Sequence, residues 1–347
     1  MKILIVSGFL GAGKTTFIKE LIRRSGTRPV IMENEYGENN LDAQELERVI
    51  ESPSPAPDGA PSPASGRGQE MKILEFMEGC VCCSMKDSFV NSVLTIFSGL
   101  APEYLVIEPT GVGRLSSILE NLKPILHDNI EILKPVVVLS PRTYAANMAE
   151  WPGLYRDQVA NAGIVVFSKN EQEDPELLAE VAERIREINP RAEILQEHYS
   201  RRPEAWWRGL MDLPAEELAV TEEGAEESFD QLSLRGAHLE NPAQLILLLE
   251  DCLRGELGHI ARAKGVLPVG EEWFRFDLAD RQYALTGAPE GEIQCVFIGE
   301  ALRKEELCRR LGTSREEEAF YTPATGRGRL SRPQGSGFID KSRQIRL

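Results

Sequence analysis

Two short stretches of this 347-residue sequence concentrate residue types that do chemistry. The first is Gly8-Phe9-Leu10-Gly11-Ala12-Gly13-Lys14-Thr15-Thr16, whose first eight residues fit G-x-x-x-x-G-K-[ST]. Gly8, Gly11 and Gly13, with Ala12 between them, let the backbone wrap a phosphate so that several N–H groups converge on it. The helix that follows offers its positive N-terminus. Lys14 reaches the β- and γ-oxygens as a point charge. Thr15 supplies a hydroxyl to Mg²⁺, and Thr16 joins the nucleotide-binding set. A nucleoside triphosphate with Mg²⁺ is the expected ligand.

Glu108 belongs with this loop. It ends the apolar run Tyr104-Leu105-Val106-Ile107 and precedes Pro109-Thr110-Gly111. A carboxylate at the C-terminal end of a neighbouring strand sits where Mg²⁺ and its waters lie. Gly111 allows a backbone N–H to approach the γ-phosphate. Lys14 and Glu108 are therefore the candidate catalytic residues; the plainer reading of Glu108 is an acidic residue opening a surface loop. For the base, Ser168-Lys169-Asn170-Glu171 follows another apolar run and parallels the N/T-K-x-D of guanine-specific proteins. Lys169 is in register, Ser168 replaces Asn or Thr, and Glu171 replaces Asp. GTP is favoured over ATP.

The second stretch is Glu78-Gly79-Cys80-Val81-Cys82-Cys83-Ser84. Thiolates are soft ligands for Zn²⁺ and similar ions. Three so close do not fill a closed tetrahedral site from one turn of chain, so an open site completed by other residues is expected, with carboxylates of Glu33-Asn34-Glu35-Tyr36-Gly37-Glu38 as candidates. A helix starting near Ser84 would lower the thiol pKa values. The alternatives are cysteines packed in the core and a vicinal disulfide at Cys82–Cys83, which a reducing compartment disfavours.

The elements that must position these groups read as α/β. Apolar runs at 3–6, 30–32, 104–107, 135–139 and 164–167 fit buried parallel strands. Helical patterns lie at 15–24, 84–97, 114–122 and 175–188. Strands alternating with helices imply a doubly wound, mostly parallel sheet. A Pro/Ser/Gly/Ala-rich insert at 52–68 reads as a flexible excursion. An acidic stretch at 213–228 reads as a linker. Beyond it, a strand at 229–234, a helix at 242–253, three or four strand-like runs within 260–298 and a helix at 303–311 form a smaller α+β domain. The domains expected are thus 1–212 and 229–315, followed by a flexible basic tail at 316–347.

Composition closes off several classes. Hydrophobic residues at 42% and charged residues at 27% are ordinary for a folded protein. A net charge of −16 repels phosphate backbones, so nucleic acid is not an expected partner. No apolar run approaches a membrane span, the N-terminus lacks the pattern of a secretory signal, and six cysteines are too sparse for a disulfide scaffold. A cytoplasmic location is expected. Of four scattered histidines, His259 alone merits a test as a ligand.

Together, S-G-F-L-G-A-G-K-T-T at 7–16, E-N-E-Y-G-E at 33–38, G-C-V-C-C at 79–83 and E-P-T-G at 108–111 resemble the CobW branch of the SIMIBI-class P-loop GTPases. N-P-R-A at 189–192 and R-A-K-G at 262–265 resemble further segments of that family. The resemblance implies a Mg²⁺-dependent GTPase acting as a metallochaperone or metal-insertion factor for zinc, cobalt or a related ion. It implies Cys80, Cys82, Cys83, Glu33 and Glu38 as metal ligands and Glu108 as the E-x-x-G glutamate. The implied partner is a client metalloenzyme or corrinoid-dependent protein held by the C-terminal domain, with a homodimer as a further expectation. The sequence departs from the family pattern at the 52–68 insert, at Ser168 and Glu171, and at Leu139-Ser140-Pro141, where the family shows V-D-A. Two other readings stay open: a nucleotide-gated activator of a partner enzyme without metal transfer, and a P-loop kinase of a small metabolite.

Overall fold

Strands buried on both faces need apolar residues at every position, and alternate side chains then feed two different cores. A computed structural model, describing residues 1–33, 73–75, 86–215, 220–221 and 228–313, shows this arrangement. The strands β1 (Lys2–Ser7), β2 (Val30–Glu33), β3 (Ile73–Glu75), β4 (Tyr104–Glu108), β5 (Glu131–Ile132), β6 (Val136–Leu139), β7 (Ile164–Phe167) and β8 (Glu193–Leu195) form one eight-stranded sheet. Its order is β3-β2-β4-β1-β6-β7-β8, with β5 beside β1, and all its pairings are parallel.

Ile3 and Ile5 of β1, Leu105 and Ile107 of β4, and Val165 and Phe167 of β7 enter one core. Leu4, Val6, Val106, Ile164 and Val166 enter the other. The first core is covered by α2 (Lys86–Leu100), α3 (Leu115–Leu122), α4 (Pro141–Glu150), α5 (Pro152–Ala160) and α6 (Pro175–Ile188). The second is covered by α1 (Lys14–Ser25) and α7 (Glu204–Leu210), through Phe17, Leu21, Trp207 and Leu210. Phe17 meets Tyr199 edge-on with ring centroids 5.1 Å apart, a geometry that aromatic quadrupoles favour.

The remaining strands, β9 (Asp230–Leu234), β10 (His259–Val269), β11 (Glu272–Ala279), β12 (Gln282–Gly287) and β13 (Gln294–Glu300), form an antiparallel sheet in the order β12-β11-β10-β13-β9. The helices α8 (Pro242–Leu253) and α9 (Lys304–Arg310) cover one of its faces, burying Leu245, Leu248, Leu249 and Leu307. From the opposite face, Val296 and Ile298 enter the first sheet's core beside Phe9 and Leu10. The smaller sheet therefore packs directly against the glycine-rich loop.

The doubly wound parallel sheet and the smaller α+β unit match the expected fold class. The sequence pattern gives no signal for α4, α5, α7, β3, β5 or β8. The first two run together in sequence, and Trp151-Pro152 breaks them because proline restricts the residue before it. The strands are two or three residues long, too short to show a period. Within the stretch read as an acidic linker, Ala215 N–H donates to Ile132 O at 3.1 Å. Thr221 exchanges hydrogen bonds with the Asn161 side chain at 2.8 and 2.9 Å. The insert at 52–68 and the tail at 316–347 lie outside the described residues, as do the linker glutamates at 216–217, 222–223 and 226–227. No helix among the described residues is long and apolar enough to cross a membrane.

Candidate functional site

The glycine-rich loop leaves the C-terminal end of β1, which lies between β4 and β6. Ligands of open α/β sheets bind at such an edge. Backbone atoms beside this loop leave no room for a side chain at Gly8 or at Gly111. A Cβ on Gly8, at φ +141°, would lie 2.1 Å from Val138 O. A Cβ on Gly111 would lie 2.5 Å from Leu10 N. Gly13, at φ 93°, caps the start of α1 in the left-handed region, so the first helical N–H groups stay directed at the loop's hollow. Ala12 is 4% exposed, and its carbonyl accepts from Ser168 Oγ at 2.7 Å.

Lys14 is 7% exposed, and its Nζ donates to Phe9 O at 3.4 Å, so the ammonium lies against its own loop. Thr15 Oγ1 donates to Glu108 Oε1 at 2.9 Å and lies 3.2 Å from Oε2. The parallel register of β2 and β4 places Glu33 opposite Glu108, and that of β2 and β3 places Glu33 opposite Glu75. Three neighbouring strands thus each end in a glutamate on the same edge as the loop. Glu33 is 6% exposed.

These groups line a cavity of about 320 Å³ between the two sheets. From the larger sheet come Gly11, Gly13, Lys14, Thr15, Thr16, Glu33, Glu108, Gly111 and Lys169. From the smaller come Arg262, Lys264, Asp277, Ala279, Val296 and Ile298. Of the expected nucleotide residues, Gly8, Ala12 and Ser168 stand behind this lining and hold the loop's shape. Glu171 is also absent from it. Its Oε1 faces His198 Nε2 at 3.2 Å, and Lys169 Nζ pairs instead with Asp280 Oδ2 at 2.7 Å. Glu171 therefore faces His198, and the carboxylate paired with Lys169 is Asp280 of the β11–β12 turn. His259 is likewise engaged, stacked on Trp151 at 4.5 Å and paired with Glu150.

The metal-ligand candidates divide. Glu33 is in the cavity; Glu38, Cys80, Cys82 and Cys83 lie outside the described residues. Among the described residues no three His, Cys, Asp or Glu side chains gather to hold an ion. The described cysteines, Cys252, Cys295 and Cys308, are buried in the smaller domain. Burial pushes the Cys252 thiol up to about 12 and raises that of Cys295 further, so these are inert core thiols.

Two supporting residues had no signal in sequence. Gln158 Nε2 lies 3.2 Å from Gly113 O and 3.4 Å from Gly111 O, holding the loop after Glu108. Its neighbour Asp157 is fully buried, accepts from Ser116 N–H at 3.1 Å and from Ser116 Oγ, and faces Arg114 at 3.1 Å. Burial raises the Asp157 carboxyl above its ordinary value, against the lowering effect of Ser116 and Arg114. Both stand on α5, an element without a pattern in the sequence.

Two family models match the two parts of the chain. The family model described as "CobW/HypB/UreG, nucleotide-binding domain" matches residues 2–196, and that described as "Cobalamin synthesis protein cobW C-terminal domain" matches 229–314. The zinc chaperone YeiR of Escherichia coli is 29% identical over 175 residues, covering 50% of this chain and 47% of YeiR. The zinc chaperone CobW of Pseudomonas aeruginosa is 26% identical over 205 residues, covering 52% of each. The zinc-regulated GTPase metalloprotein activator 1 of Dictyostelium discoideum is 22% identical over 222 residues, covering 56% of this chain and 45% of its own length. The chain thus spans about half the length of the curated relatives it matches. Among solved structures, Zn(II)-bound YjiA GTPase from E. coli aligns at 16% identity and TM-score 0.42, covering 90% of this chain and 98% of YjiA.

Proposed function

The chain belongs to the CobW/HypB/UreG nucleotide-binding family, and on that premise we propose that it is a GTP-hydrolysing metallochaperone that hands a transition metal to a client metalloprotein. The observation that carries this reading is the cavity in which Lys14, Thr15 and Thr16 meet Glu33 and Glu108. Glu33 is the last residue of β2 and the first of the E-N-E-Y-G-E segment. One end of the expected metal-binding segment is therefore a wall of the phosphate site. The names of the relatives, zinc chaperones and a metalloprotein activator, agree with zinc as cargo.

In this scheme the loop's N–H groups and Lys14 hold the β- and γ-phosphates. The Thr15 hydroxyl and the Glu108 carboxylate are hard oxygen donors lying together, a set that fits Mg²⁺. Mg²⁺ there would neutralise charge on the phosphates. Glu108 orients the attacking water, and Gly111 offers its N–H to the terminal phosphate. Lys169 covers the base, with Ser168 tying its loop to the phosphate loop. Cys80, Cys82 and Cys83, with Glu33 and Glu38, hold the cargo ion on segments that respond to the γ-phosphate. Metal affinity and nucleotide affinity are then reciprocally coupled.

The test is titration of Zn²⁺ and Co²⁺ into the purified chain with and without a non-hydrolysable GTP analogue. The analogue should tighten metal binding, and Cys82→Ser/Cys83→Ser should remove tight metal binding while sparing GTP binding. Equal metal affinity in the parent and the double variant would refute the scheme. GTP binding without transition-metal affinity would favour an activator, and phosphate transfer to an acceptor would favour a kinase.

A further inference from the structure

The smaller sheet contributes side chains of its own to the cavity. Its R-A-K-G segment lies on β10, and the alternation of that strand sends Ala263 into its own core while Arg262 and Lys264 line the phosphate cavity. Lys264 is 6% exposed, so its ammonium is committed to the interior and is not a solvated surface charge. We propose that Arg262 and Lys264 bind the terminal phosphate of the nucleotide, so that the smaller domain completes the triphosphate site and distinguishes tri- from diphosphate.

Placement supports the terminal rather than the inner phosphates. Arg262 pairs with Ile298 across the β10–β13 ladder, and Ile298 shares a core with Leu10. Ala263 pairs with Leu278, so Arg262 and Ala279 stand one step further along β10 and β11. Ala279 meets the loop: a Cβ on Gly11 would come within 2.9 Å of it. Arg262 therefore stands over residues 10–11. Leu10 is also the residue against which Gly111 packs, and Gly111 belongs to the terminal phosphate in the proposed reading. Arg262 holds Asp277 Oδ2 at 3.5 Å, an exchangeable contact that a more highly charged phosphate can displace. In a chain of net charge −16, Arg262 and Lys264 join Lys14, Lys19 and Lys169 in one hollow against Glu33, Glu108 and Asp277, so cations outnumber carboxylates where an anion is expected.

This inference rests on the triphosphate reading, and its test separates the two. A fluorescent GDP and a fluorescent non-hydrolysable GTP analogue are titrated into the full chain, the parent and the variants Arg262→Ala, Arg262→Lys and Lys264→Met. If the parent binds neither nucleotide, the triphosphate reading fails. If it binds both, Arg262→Ala and Lys264→Met should each weaken the GTP analogue by about tenfold, equivalent to about 1.4 kcal/mol, and GDP by less than about threefold. Arg262→Lys, which keeps the charge, should recover part of the loss. Equal weakening of both nucleotides, or no weakening of the analogue, overturns the proposal. Lys264→Met retains most of the buried stem, and Arg262→Lys provides a folded comparison should Arg262→Ala melt early.

Discussion

Replacing Gly111 by alanine adds one methyl group where the Glu108 loop packs on Leu10 of the phosphate loop. The new Cβ would lie 2.5 Å from Leu10 N, 2.7 Å from Leu10 Cα and 2.8 Å from Leu10 Cδ2, where ordinary contact begins at 3.4 Å. Two of those atoms are backbone, so the strain cannot be relieved by a side-chain rotation. Overpacking of this kind costs about 1–3 kcal/mol. The reduced freedom of the unfolded chain returns about 0.4–1 kcal/mol, so the balance runs up to a net loss of about 2.6 kcal/mol, and about 1–2 kcal/mol is expected in the middle of that range. For a domain of this size that is a fall in Tm of about 2–8 °C. Moving residues 10–11 would also misplace the N–H groups that, in the proposed reading, hold the phosphates. The affinity for a GTP analogue should fall about tenfold or more, with GDP less affected. The control is Gly99, exposed near the end of α2, where a Cβ would meet nothing within 4 Å. Gly99→Ala should be neutral or stabilise by up to about 1 kcal/mol. Thermal melts and nucleotide titrations of both variants decide the matter. An unchanged Tm and unchanged GTP affinity in Gly111→Ala would refute the close approach.

Further expectations follow from other contacts. Lys14→Ala should abolish nucleotide binding in the same titration, because the loop loses its point charge. Asp157→Ala strands the Ser116 N–H and Arg114 in a buried place and should cost about 3 kcal/mol in a denaturant melt. Asp157 has a raised folded pKa, so its contribution is full below the ordinary carboxylate value of 3.8 and declines as pH rises through the folded value. Relative to Asp157→Asn, the parent should therefore lose stability with rising pH across that interval. Asp280→Asn removes a pair with a half-exposed lysine. It should change stability by under about 1 kcal/mol and strengthen nucleotide binding a few-fold by removing a negative charge beside the loop. Native thiol titration at neutral pH should leave Cys252 and Cys295 unreacted, so Zn²⁺ added beforehand should protect Cys80, Cys82 and Cys83; rapid labelling of Cys252 would contradict its placement.

The sequence by itself determined the chemistry of the loop and the class of the fold. The spacing of Gly8, Gly13, Lys14 and Thr15 is a local property, and runs such as residues 3–6 and 164–167 carry enough apolar side chains to fix buried parallel strands without reference to partners. Glu108 was legible for the same reason, as a carboxylate ending such a run. Tertiary structure alone decided which distant groups share the cavity. Nothing in a one-dimensional pattern says that Gln158 braces Gly111 and Gly113, that Asp280 takes Lys169 while Glu171 turns to His198, or that Arg262 and Lys264 face the phosphate loop. Those pairings depend on how two sheets dock, and that docking is set by the fit of Val296 and Ile298 against Phe9 and Leu10, an apolar contact between segments nearly three hundred residues apart.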